Sequence, residues 1–305
     1  MKAVRIHRFG PPEVVVVEDV PTPAPGPGEV LVRVSAAGVA PWDALIREGK
    51  STVSPQPPLT LGSDLAGVVE AVGPGVANCR AGDEVYGLTN SQFCDAQAEY
   101  AIASAAMIAA KPAALDFLEA ASAPVIAVTA WQMLFEYAQV KRGDTVMITG
   151  AAGNVGAYVV QLALDADIQV VAVARPSGFE LLRKLGVTAI FDPEAPGFEG
   201  RLPQVDAILD TIGDATLERC LGALKHDGKL VTAVPAATTP QDRVQPITFY
   251  AEVTTARLHL LNPLFESGRI TTRVGSVLPL AEARAAHEML AGAPHKPGKI
   301  ILQIE

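Results

Sequence analysis

Cysteine, aromatic side chains and positive charge are all in short supply. Only three cysteines occur, Cys79, Cys94 and Cys220. An odd number of scattered thiols excludes a disulfide scaffold and predicts a reduced, cytoplasmic protein. Lysine and arginine number 24 against 33 aspartates and glutamates, a formal net charge of −9. That deficit disfavours a broad basic face for nucleic acid. No uncharged apolar run approaches the roughly 18 residues of a membrane span. The longest, around 120–133, is interrupted by Pro124 and reads as a buried helix. The opening MKAVRIHRFGPPE lacks the apolar stretch of a signal peptide. The five histidines form no i, i+4 pair and show no nearby carboxylate pattern. The expected partners are therefore small molecules, with no nucleic acid and no membrane.

What the chain does have is apolar residues, 49% of its 305, enough for a large core and two domains. The first third is rich in valine, glycine and proline. VRIHRF (4–9), EVVVVEDV (13–20), EVLVRVSAAGV (29–39), LAGVVEAVGPGV (65–76) and GDEVYGL (82–88) read as short strands. Their spacing suggests a partly open barrel or sandwich. KSTVSPQPPLT (50–60) reads as a loop.

The character changes near Leu115. Residues 116–140 read as mostly helical, and strand–helix alternation follows. TVMIT (145–149) leads into VGAYVVQLALDA, and QVVAVA (169–174) into SGFELLRKLG. TAIFD (188–192) precedes a proline-rich loop, VDAILD (205–210) precedes TLERCLGAL, and GKLVTAV (228–234) closes the series. Such alternation predicts a doubly wound parallel sheet with helices on both faces, hence an α/β fold. ITFYAEV (247–253) reads as a further strand. TTARLHLLNPLFESG (254–268) reads as a helix kinked at Pro263, and LAEARAAHEMLAG (280–292) as another helix. The final KIILQIE reads as a strand returning to the first domain.

The first strand of the alternating run enters Gly150-Ala-Ala-Gly153-Asn-Val-Gly156. The strict G-x-G-x-x-G pattern is not met, because Ala151 stands at its first glycine. The physics survives the change. Gly153 lets backbone approach a pyrophosphate, Gly156 lets helix and strand pack closely, and the helix N-terminus presents N–H groups and partial positive charge. The end of the second strand selects the cofactor. QVVAVA ends in Arg175-Pro-Ser177-Gly, with no acidic residue there to accept from a ribose 2′-OH. A planar cation and a hydroxyl suit a 2′-phosphate, so NADP(H) is expected over NAD(H).

From AAGVAPWD (36–43), LGSDLAGVVEAVGPGV (61–76), GDEVYG, AEYA (98–101) and VTAWQML (128–134), through the glycine turn and VDAILDTIG, to ALKHDGKLV, residues 268–290 and GKIIL (298–302), the chain resembles the medium-chain dehydrogenase/reductase superfamily. It looks most like the zinc-independent quinone oxidoreductase branch that includes zeta-crystallin. The resemblance implies a GroES-like β-rich catalytic domain of residues 1–117 completed by 272–305, with a Rossmann NADP-binding domain at 118–271, in a homodimer. It implies that Ala152, Gly153, Asn154 and Val155 bind the pyrophosphate. Thr129 would lie near the nicotinamide, Asp210 and Thr211 near its ribose, and Val234 and Phe249 near its carboxamide. Each residue has a structural alternative: Thr129 as a helix cap, Asp210 as a local acceptor, Phe249 as core.

Zinc-dependent relatives carry a cysteine and a histidine where this chain has Ala40 and Ser63, so no metal is expected. Without one, alcohol oxidation fits poorly. Hydride transfer from NADPH to a quinone or another electron-poor enone fits better. The resemblance weakens at three points. Ala40 replaces an asparagine, the 50–60 loop lacks a tyrosine, and Pro193 replaces an adenosine-side tyrosine. Trp42 and Tyr86 are the catalytic candidates that remain, each with a packing role as its alternative. Rival readings are a catalytically weak NADP(H)-binding protein of crystallin or sensor type, and an alcohol dehydrogenase or enoyl reductase of the same fold. An extended short-chain dehydrogenase is disfavoured because Tyr137–Lys141, the Y-x-x-x-K spacing, precedes the glycine turn.

Overall fold

Valine-rich alternation in the first third and parallel-sheet punctuation in the second produce two different kinds of sheet. The computed structural model describes residues 1–234 and 244–304. By contacts these form two units, Met1–Val125 with Glu252–Glu305, and Ile126–Ala251.

In the first unit, Glu29–Val39 is the central strand of a seven-stranded sheet. It pairs antiparallel with Asp64–Val72, Tyr100–Ser104 and Lys299–Gln303. The chain's last strand therefore does return to the first domain. Val30, Val32 and Val34 point into one core with Leu65, Val69, Val85, Ile108, Ile300 and Leu302. A smaller sheet orders Val16–Asp19, Lys2–Ile6 and Leu59–Thr60. The helix Ala283–Leu290 adds Ala283 and Ala286 to the same core.

The second unit is a six-stranded sheet. Its order is Ala189–Phe191, Gln169–Val173, Thr145–Thr149, Val205–Asp210, Leu224–Thr232 and Ile247–Thr248, with every pairing parallel. Counted along the chain, this is the doubly wound order 3-2-1-4-5-6. Val146, Met147 and Ile148 are all fully buried, as expected of a strand covered on both faces. The strand order reverses between Thr145–Thr149 and Val205–Asp210, and a crevice for ligand belongs at the carboxyl ends of those strands.

Several elements differ from the sequence reading. The 13–20 strand begins only at Val16, because Pro12–Val14 forms a 3₁₀ turn. The 116–140 helix is three pieces, Phe117–Ser122, Pro124–Trp131 and a π-helical Gln132–Tyr137. The strand expected over 247–253 is reduced to Ile247–Thr248, paired to Val231 and Thr232. Val274–Pro279, not anticipated as a strand, pairs parallel with Lys299–Gln303 at the sheet edge. The sequence boundaries 117/118 and 271/272 assign the helix Thr255–Glu266 to the Rossmann domain. Its Thr255 hydroxyl instead bonds the carbonyls of Ala105 and Ile108, within the first unit.

Candidate active site

The glycine turn lies at the switch point of the parallel sheet. Gly150 leaves the first strand with φ +70°, a left-handed conformation that glycine adopts without strain. A Cβ on Gly156 would strike the Gly150 carbonyl oxygen, so this glycine seats the helix on the turn. Gly153 is the N-cap of the helix Asn154–Asp165 and is exposed. Having no side chain, it cannot cap the first turn itself. A Cβ there would touch only the Gly150 oxygen, at 3.1 Å. Ala152, Asn154 and Val155 are half-buried beside it. An exposed, uncapped N-terminus with no side chain at its apex fits an anionic diphosphate.

The neighbouring turn closes on this one. A Cβ on Gly178 would overlap that of Ala152, so the 3₁₀ turn Pro176–Gly178 packs directly against the glycine turn. Arg175 caps that turn and Ser177 lies in it, both exposed. Arg175 has a partner not apparent from its own strand. Its Nε lies 3.2 Å from Glu194 Oε1. The strand end without a local acidic residue is therefore served by an acid from the next strand's loop.

On the opposite side of the switch point, Asp210 is fully buried. Its Oδ1 accepts from the Thr149 hydroxyl at 2.6 Å and from the backbone N–H groups of Ile212 and Gly213 at 3.2 Å. Its Oδ2 accepts from the Thr232 hydroxyl at 2.7 Å. Thr211 donates through its hydroxyl to the Thr149 carbonyl at 2.8 Å. Asp210 thus ties together the carboxyl ends of three adjacent strands, the local-acceptor role weighed for it in the sequence. Val234 is half-buried just past the fifth strand, its N–H donating to the Thr232 hydroxyl. Phe249 stacks on Tyr137 with ring centroids 4.5 Å apart. Thr129 is buried in the helix Pro124–Trp131.

The first unit holds the remaining candidates. Trp42, in the helix Pro41–Arg47, donates from Nε1 to Ser63 Oγ at 3.1 Å. Lys299 Nζ lies 4.2 Å from its ring centroid, and Phe93 meets it edge-on at 6.4 Å. Lys299 is itself buried and pairs with buried Asp64 at 2.7 Å. Asp64 Oδ1 accepts from the Val125 N–H. Asp43, fully buried, accepts from the Ala40 N–H at 2.8 Å. Burial pushes its carboxyl up to about 7, against the pull of Lys299. Tyr86 is wholly buried, and its hydroxyl donates to Asn262 Oδ1 at 2.6 Å. That is a core placement, in line with the packing alternative for this residue.

Sequence reasoning passed over Asp43, Asp64, Lys299 and Glu194. The first three lie inside the segments AAGVAPWD, LGSDLAGVVEAVGPGV and GKIIL. A charge set among apolar neighbours was the available signal. Glu194 had none, since it reaches Arg175 only through sheet order. Among the described residues no group of three or more histidine, cysteine, aspartate or glutamate side chains is placed to hold a metal, and no helix is long and apolar enough to cross a membrane.

Comparison with known proteins places this geometry. Residues 26–116 match the alcohol dehydrogenase GroES-like domain, and residues 185–302 match the zinc-binding dehydrogenase family. A quinone oxidoreductase from Sus scrofa is 31% identical over 99% of this chain and 97% of its own length. An NADPH-dependent alkenal/one oxidoreductase of Arabidopsis thaliana, chloroplastic, is 30% identical over 99% of this chain and 79% of its own. The structure of the quinone oxidoreductase from Coxiella burnetii superposes with a TM-score of 0.92 at 30% identity, covering 100% of this chain and 99% of that one. The chain belongs to the medium-chain dehydrogenase/reductase superfamily, in its quinone oxidoreductase branch. It is an oxidoreductase with the fold of a nicotinamide-cofactor-binding dehydrogenase: a GroES-like unit and a Rossmann unit.

Proposed function

We propose that this protein transfers hydride from NADPH to a quinone or another electron-poor enone, without a metal. The observation that carries the reading is the bare N-terminus at Gly153, with Arg175 in the adjoining turn. Asn154 and Val155, in the first turn of the helix, hold the pyrophosphate through backbone N–H groups, Ala152 and Gly153 line the turn on which it rests, and Arg175 with Ser177 faces the 2′-phosphate. The dependence on NADPH named for the Arabidopsis relative agrees with this. Bound NADPH supplies two electrons and a proton's nucleus as hydride, and a solvent proton completes the reduced acceptor.

The residues at the zinc-ligand positions do not suit that ion. Ala40 offers no donor atom. The Ser63 hydroxyl is engaged by Trp42, and the Lys299 ammonium lies over the Trp42 ring. A neighbouring cation and a neutral hydroxyl make a poor site for a divalent metal. An acceptor that is already electrophilic needs no Lewis acid. What it needs is placement and exclusion of water.

The test is NADPH oxidation by purified protein against simple quinones, enones and enoyl esters, alongside direct NADPH titration. Gly153→Asp puts a side chain and a negative charge at the helix N-terminus and should abolish binding. Unchanged binding in that variant removes the assignment of the turn. Tight binding with no turnover on any acceptor removes the enzymatic reading and leaves a nucleotide-binding protein.

A further inference from the structure

The loop after the third parallel strand is built to hold a carboxylate at the end of the second. Ala174 N–H donates to the Phe191 carbonyl at 3.1 Å, which joins the ends of the two strands. Glu194 N–H donates to Asp192 Oδ1 at 2.9 Å and sets the turn that follows. Arg219 anchors the loop from the far side. Its Nη1 donates to the Pro193 carbonyl, Nη2 pairs with Glu199, both at 2.7 Å, and the guanidinium lies over the buried Phe198 ring. Arg175, the cation at the strand end, is met at its Nε by Glu194 at 3.2 Å.

We infer that Glu194 is a specificity-determining residue that narrows the discrimination between NADP(H) and NAD(H) set by Arg175. The inference rests on the NADP(H) reading above and adds a second residue to it. A phosphate pairs best with a guanidinium through two parallel N–H groups. Glu194 already occupies Nε, so a 2′-phosphate must displace the carboxylate or use the Nη1–Nη2 edge beside it. A 2′-phosphate carrying close to two negative charges is also repelled by Glu194. A ribose 2′-OH meets the opposite situation. It can donate to a carboxylate, the arrangement that NAD-binding folds use at this strand end. Arg175 and Glu194 thus pull selectivity in opposite directions, and the chain accepts both cofactors with a modest preference for NADPH.

The experiment is equilibrium titration of wild type, Glu194→Gln and Arg175→Ala with 2′,5′-ADP, 5′-AMP, NADPH and NADH. Both adenosine monoprobes report on the strand end without any catalytic step. Glu194 is exposed, so its substitution leaves the core intact. Glu194→Gln should tighten 2′,5′-ADP and NADPH about three- to tenfold, with 5′-AMP and NADH, which both carry a free 2′-OH, unchanged or weaker. The gain should shrink at high salt, because both groups are solvated. Equal 2′,5′-ADP affinity in wild type and Glu194→Gln, with Arg175→Ala still weakening it, overturns the role of Glu194 alone. If Arg175→Ala also leaves 2′,5′-ADP unchanged, the NADP(H) reading of the strand end falls, and this inference with it.

Discussion

Lys299 sits with its ammonium 4.2 Å from the Trp42 ring centroid while bonded to Asp64 at 2.7 Å. All of Lys299 and Asp64 is out of water. Two charges in that setting are tolerable only as a pair, because removing one leaves the other desolvated and unmatched. Lys299→Met should destabilise the protein by about 3–5 kcal/mol in urea unfolding. The double variant Lys299→Met with Asp64→Asn should recover most of that loss. A double variant as unstable as the single one would show that the loss does not come from an unmatched buried charge.

Two buried groups set opposing pH dependences. Asp43 titrates near 7 in the folded state because of burial, against 3.8 when solvated. Its raised value means that stability is full below about 4 and is lost as pH rises towards 7. His287 is held down to about 3, against 6.5, by burial and by Arg47, whose Nη1 donates to its Nδ1 at 3.0 Å. Its depressed value means that stability is full above 6.5 and is lost as pH falls towards 3. Over the shared window the two nearly cancel in wild type. Asp43→Asn should unmask stability that rises with pH, and His287→Gln stability that falls with pH, each with a slope approaching roughly 1.4 kcal/mol per pH unit. Urea midpoints between pH 4 and 7 measure both. Parallel profiles in the three proteins would refute the linkage.

Asp210 accepts four hydrogen bonds at the ends of the central strands. An asparagine there has one acceptor and one donor group, so its amide must face a hydroxyl or an N–H. Asp210→Asn should lower stability by about 2–3 kcal/mol and weaken nucleotide binding with it. Thr211 and the Gly150 turn take their positions from the same strand ends. A variant with lowered stability and wild-type nucleotide affinity would separate Asp210 from the site.

Elemental analysis of purified protein should find substoichiometric zinc, and chelators should leave turnover unaltered. A tightly held equivalent of zinc would contradict the reading of Ala40 and Ser63.

The parts of this molecule written in local pattern were legible from the sequence. Alternating apolar residues and breaker residues set the order of strands and helices. The glycine spacing marked a tight strand-to-helix turn, and the turn lies where the chain reading placed it, between Thr149 and Asn154. Such features depend on neighbours a few positions away, where strand and helix periodicities act. Segments whose fate depends on a partner were misjudged. Val274–Pro279 is a strand because Lys299–Gln303 lies beside it, and among the described residues the pairing of Ile247–Thr248 with Val231 and Thr232 goes no further than Thr248.

Only the tertiary structure decided which ionisable side chains meet. Lys299 and Asp64 are 235 residues apart, and Arg47 and His287 are 240 apart. Glu194 reaches Arg175 because the third parallel strand lies beside the second. A sequence fixes where each charge stands along the chain. Its energy depends on its depth from water and on the charge opposite, and both are set by how the sheets bring distant strands together.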